Sequence, residues 1–187
     1  MSRAYRISVS ESIRRHIRVE DGIAAPLELL DILPREQMAE LLAAELVGLG
    51  FERDGQVCRR VDDDGLEIRV DLAEGRVTVK QAAEADVELE EERDGRAARP
   101  DDVQAKDLLR KAVRRDLERK ADARQEKLQR ELTAKLEGKL RELQGEVDGA
   151  VNRATGAALK RKASQLGEIE EISEDAETGS LTIKVRV

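Results

Sequence analysis

The residues able to do chemistry are few and scattered. The chain holds one histidine, His16, set in the run Arg14-Arg15-His16-Ile17-Arg18. A lone imidazole supplies at most half of a catalytic dyad, and a metal site needs several ligands, so a surface histidine is expected. Ser8, Ser10 and Ser12 have no base placed to activate them. Asp62-Asp63-Asp64-Gly65 has the acids of a calcium loop. Its glycine, however, falls at the fourth position instead of the sixth and the downstream Glu is misplaced, so the segment reads as a turn. The single cysteine, Cys58, excludes an internal disulfide and a cysteine-based metal cluster; in an alternating apolar run it is expected to be buried. No glycine-rich phosphate loop occurs. The expectation is a protein that is not an enzyme and uses no cofactor and no metal.

The elements that position these residues belong to a chain rich in charge and poor in aromatics. Of 187 residues, 40% are charged and 1% aromatic, so a core must be built from Leu, Ile, Val and Ala. Periodic apolar residues through most of the chain argue against disorder. A net charge of −7 disfavours nucleic acid, which needs a concentrated basic surface. The charge is uneven: residues 84–102 hold nine acids against three Arg, and residues 104–130 hold ten Lys/Arg against five acids. The two blocks could attract one another, serve separate partners, or be solvated faces. Arg110, Lys111, Arg114, Arg115, Arg119 and Lys120 form a candidate basic patch, the basis of a minor reading as a nucleic-acid binder. No run approaches the ~18 apolar residues of a membrane span and no apolar leader opens the chain; a cytoplasmic location is expected and a membrane partner is disfavoured.

Alternation predicts strand over residues 4–20, with Tyr5, Ile7 and Val9 on one side. Asp21-Gly22 reads as a tight turn, followed by a strand-like or irregular apolar run. A helix follows Pro34, with Met38, Leu41, Leu42, Leu46 and Leu49 on one face. Gly48 and Gly50 end it, and Phe51 docks on the core. A meander comes next: "QVCRRV", "LEIRVDL" and "RVTVKQ", separated by "DDDG" and "AEG" turns, then an acidic edge strand "DVELEEE". "RDGRAARPDD" reads as a linker, and Asp101 or Asp102 as the cap of a new helix. The chain closes with a hairpin, Ile169 and Ile172 against Leu181, Ile183, Val185 and Val187, about the turn "EDAETGS".

The helix from Val103 to Leu166 is the most informative segment. Its glycines at 138, 145, 149 and 156 leave open whether it is one rod or a helical hairpin. Its apolar positions from Leu109 to Val151 advance about 3.8 residues per step, wider than the 3.5 of a left-handed coiled coil, so a conventional zipper is the weaker reading. Leu128, Leu132, Leu136, Leu140, Leu143 and Val147 form the candidate interaction seam. Its cover is the chain's own sheet, a second copy or another protein. A membrane surface fits poorly, because the stripe has no aromatics and its flanks are of mixed charge.

The opening run "YRISVSESIRRHIRVEDGIAAPLELLDILPREQMAELLAAELVGLGFERDG" and the closing "EIEEISEDAETGSLTIKVRV" resemble the small accessory proteins of bacterial FtsH ternary systems. In those systems an FtsH-like AAA+ ATPase, a MoxR-type ATPase and a von Willebrand factor A protein are encoded together with small domains. The resemblance carries no catalytic motif and transfers no functional residue; it implies an adaptor or scaffold beside AAA+ ATPases.

The expected fold is α+β: a small antiparallel sheet with one packed helix, a long helical arm and a C-terminal β-hairpin. The expected division is a head at 1–93, a linker at 94–102, an arm at 103–166, and at 167–187 a hairpin that rejoins the sheet or pairs with a second copy. The expected function is a non-enzymatic adaptor with a protein partner, AAA+ components or a homo-oligomer; the alternative is a structural protein that self-assembles through the arm.

Overall fold

The computed structural model describes residues 5–175 and 180–186. Element order is β1 (Tyr5–Pro26), α1 (Arg35–Gly48), β2 (Glu52–Asp54), β3 (Val57–Val61), β4 (Glu67–Asp71), β5 (Arg76–Ala97), α2 (Val103–Leu166), β6 (Glu168–Asp175) and β7 (Ser180–Arg186). The first five strands form one sheet in the order β1-β5-β4-β3-β2, and β6 pairs with β7 in a separate two-stranded sheet. Among the described residues the C-terminal hairpin does not rejoin the earlier sheet. Its "EDAETGS" turn and Val187 extend outside the described residues.

Two expectations about where strands end are corrected. β1 runs through Asp21-Gly22 without turning. Gly22 has no positive φ; its missing side chain instead admits the Lys80 Cγ, 2.8 Å from where a Cβ would stand. β5 fuses "RVTVKQ", "DVELEEE" and residues 94–97, expected in a linker, into one strand of 22 residues. By contrast, Gly65 and Gly75 do turn the chain at positive φ, 74° and 64°. Helix α1 ends as its glycine implies. Gly50 takes φ 86°, its N–H bonds Val47 O, and the Phe51 N–H bonds Leu46 O, which is a Schellman closure. It turns Phe51 inward to 3% exposure.

Asp102 caps α2, its Oδ1 accepting the Ala105 N–H at 3.0 Å. The helix then runs unbroken for 64 residues, so the helical hairpin is ruled out. The chain divides into two compact units, residues 1–21 with 82–134 and residues 22–81 with 135–187, and the helix contributes to both. Val113, Leu117 and Ala121 in its first part and Leu136, Leu143 and Val147 in its second are buried.

In the first unit, β1 and β5 form a two-stranded ribbon. Ile7, Val9, Ile17 and Val19 of β1 are buried, as are Val113, Leu117 and Ala121 of α2. The four-residue spacing of that helical row winds slowly around the helix, and a twisted β-surface calls for such winding. In the second unit, Cys58, Ile68, Val70 and Val79 of the sheet are fully or almost fully buried, with Met38, Leu42 and Leu46 of α1. Met38 and Leu33 pack with Ala158 of α2. Burial raises the Cys58 thiol pKa, which suits a packing role.

Candidate functional site: a charge-paired ribbon

The six positions of the candidate seam lie inside the chain. Leu132, Leu136, Leu143 and Val147 are 0–4% exposed, and Leu128 and Leu140 are half-buried. Leu128 also lines the groove described below.

The candidate basic patch is largely neutralised. Arg114 Nε donates to Glu11 Oε2 at 3.0 Å, and Arg110 lies 3.6 Å from the same carboxylate. Arg119 pairs with Asp116, and Lys120 Nζ donates to Glu91 Oε2 at 2.7 Å. Lys111 and Arg115 remain exposed. The Glu91 carboxyl is held below its ordinary pKa by the Lys120 hydrogen bond first and then by Arg93.

These contacts show how the first unit is held together. Arg15 donates to Asp122 at 2.6 Å, and Thr133 donates to Asp21. Glu11, Arg15 and Asp21 of β1 thus meet α2 at points two to three turns apart. From Glu11 to Asp21 the strand covers roughly 33 Å, and from Arg114 to Thr133 the helix covers roughly 29 Å. The two rises match, so helix and strand stay side by side over the whole length.

The opposite face of the ribbon is polar throughout. Residues two apart on a strand share a face, and the even positions of β5 from 84 to 94 are Glu84, Asp86, Glu88, Glu90, Glu92 and Asp94. The even positions of β1 answer them. Arg6 pairs with Asp94, Ser8 Oγ donates to Glu92 at 2.7 Å, and Arg14 Nε donates to Glu88 at 2.7 Å. His16 Nδ1 lies 2.8 Å from Asp86, and Arg18 Nε lies 3.5 Å from Glu84. Partners ascend on one strand as they descend on the other, so the ribbon is antiparallel. Opposite charges across such a pair each contribute about 0.2–1 kcal/mol. Sequence reasoning saw the acidic block but not this ladder. The signal was there, because the six acids fall on every second residue.

His16 has its pKa raised above 6.5, by the Asp86 hydrogen bond first, then by the Asp86 and Glu84 charges, against desolvation and Arg18. A raised folded-state value means that the contact stabilises fully below about 6.5 and is lost as pH rises through the folded value. In an NMR titration the single imidazole should therefore show a midpoint above 6.5, and Asp86→Asn should bring it down. An unchanged midpoint in that variant would count against the contact.

One edge of the ribbon borders a groove. β4 pairs with β5 only from Arg76 to Lys80. Beyond it, among the described residues, β5 has β1 on one side and no strand on the other. Ala85, Val87, Leu89, Arg124, Lys127 and Leu128 line a groove of about 320 Å³ along that edge. Among the described residues no helix is long and apolar enough to cross a membrane.

No curated protein and no solved structure matches the chain. The family expected from the two ends, with the long central helix as a looser match, is met over residues 1–187. The chain belongs to the family described as FtsH ternary system domain X5.

Proposed function

We propose that the protein is a non-enzymatic accessory adaptor of an FtsH ternary system, joining protein components of that system, AAA+ ATPases among them, through the outer face of the ribbon. The observation that carries this reading is the column of six carboxylates on β5, one at every second residue. The column is met in part by Arg6, Arg14, His16 and Arg18 of β1, and its Glu90 and Glu92 lie opposite serines. With the leucine stripe turned inward, it offers a patterned surface of fixed spacing to a partner with a basic strand or helix face. Complementary charge of this kind governs the rate and choice of association more than its affinity.

The test uses the purified AAA+ ATPase of the same system and the triple variant Glu88→Gln/Glu90→Gln/Glu92→Gln. Exposed ion pairs contribute about 0–1 kcal/mol each, so the variant keeps its fold. Its association should slow by about an order of magnitude and lose much of its salt dependence. Equal rates for both proteins, or no binding at about 100 µM (roughly 5 kcal/mol of affinity), would sink the reading. Self-assembly, the second reading, is favoured by the unpaired edges of the ribbon and is compatible with the first, since edges and outer face are different surfaces.

A further inference from the structure

We infer that the open edge of β5 is occupied by β1 of a second copy of this chain, so that copies add head to tail into one extended antiparallel sheet. The inference does not depend on the adaptor reading, because assembly is measured with the chain alone.

Two strand edges are left unpaired in the first unit. β1 stands last in the sheet order, so its outer edge over residues 5–20 has no neighbouring strand among the described residues. β5 has no strand beside its second edge over residues 82–97. Long open edges are templates for strand addition, and the charges here choose among the possible pairings. Joining β5 to β5 would set two carboxylate columns side by side. Joining β1 to β1 would set two columns carrying Arg6, Arg14 and Arg18 side by side. Like charges opposite one another are destabilising. Joining β1 to β5 repeats the pairing already made within the chain, Arg14 with Glu88 and Arg18 with Glu84. Each acid column would then lie between two columns of cations and serines.

The layer above the sheet fits the same repeat. Two strands occupy about 9.6 Å, and neighbouring helices pack 8–10 Å apart, roughly the same width. Ribbons side by side therefore place their helices side by side. The α2 flank beside β5 carries Lys120, Arg124 and Lys127 at the groove. The flank beside β1 carries Asp122, bonded to Arg15, and Glu118 one turn before it; Arg114 and Arg110, further back along the same row, are held by Glu11 of β1. In a head-to-tail array Arg124 and Lys127 of one copy meet the Glu118 and Asp122 stretch of the next. Such a contact is heterologous and does not close at two copies.

Sedimentation of the full chain over a concentration series, at about 50 mM and about 500 mM salt, tests this. At low salt the mass should grow beyond two chains with concentration, and it should fall back at high salt. Amide exchange should slow over residues 5–20 and 82–97 as assembly proceeds. Arg124→Glu/Lys127→Glu, on an exposed flank away from the core, should weaken association on the order of tenfold, and adding Glu118→Lys should restore it. A single-chain mass at every concentration overturns the inference. So does growth that stops at two chains, or assembly unaffected by the charge reversal.

Discussion

Replacing Leu136 by alanine is expected to lower the unfolding free energy by about 2–5 kcal/mol. Leu136 is 0% exposed, so the change removes packed methyl groups and leaves a cavity that its neighbours fill only in part. Urea denaturation at low protein concentration measures this on the single chain, with an unchanged slope indicating an unchanged denatured state. Leu108, on the same helix but 69% exposed, provides the comparison: its alanine variant should stay within about 0.5 kcal/mol. Had the stripe been a seam reserved for a partner, Leu136→Ala would spare single-chain stability and affect only association. The charged pair Leu132→Glu/Leu136→Glu should leave the chain unfolded, because a carboxylate in that interior has no partner to offset its lost hydration.

The second large effect is expected at Arg60. Its Nη1 donates to the Leu49 carbonyl at 3.0 Å, and its Nη2 donates to Glu146 at 2.9 Å. The guanidinium carbon sits 4.6 Å from the centre of the Phe51 ring, and Nε lies 3.2 Å from Asp62. One planar group therefore ties the end of α1, the strand β3, the turn after it and helix α2 together, which a lysine cannot do. Arg60→Met keeps the aliphatic stem and should cost about 1–2 kcal/mol, chiefly by leaving the Leu49 carbonyl without its donor and removing the stacking on Phe51, while Glu146, 47% exposed, turns to water. Arg60→Lys should recover less than half of that. A methionine variant within about 0.5 kcal/mol of the parent would show that these contacts offset only their own desolvation.

Much of the fold is legible in the residues, and the gaps have physical causes. Apolar alternation reports strands, and the Asp102 cap with a glycine-tolerant apolar period reports α2. Gly65 and Gly75 were readable as turns because they sit among polar residues at short breaks. Gly22 was misread for the same reason: an Asp-Gly pair suits a turn, but it equally suits a place where a lysine stem crosses the backbone. Short β2 escaped notice because all three of its residues are exposed and leave no alternation. The period of the leucine stripe states how it is spaced on a helix, not what covers it. The ladder was hidden for another reason. Arg14 and Glu88 are 74 residues apart, and nothing local announces that two blocks of charge will face one another.

The division of the chain into two units has a consequence for synthesis. The first unit needs residues 1–21 and 82–134, so the whole of 22–81 is translated before β5 can reach β1. At 5–20 residues per second that interval is on the order of 3–12 s. Throughout it the nascent β1, with its arginines and isoleucines, waits beside the ribosome without its acidic counterpart, and the helix that seals the ribbon arrives later still. β1 is thus made well before the two elements that enclose it, and its apolar face stays uncovered until they follow.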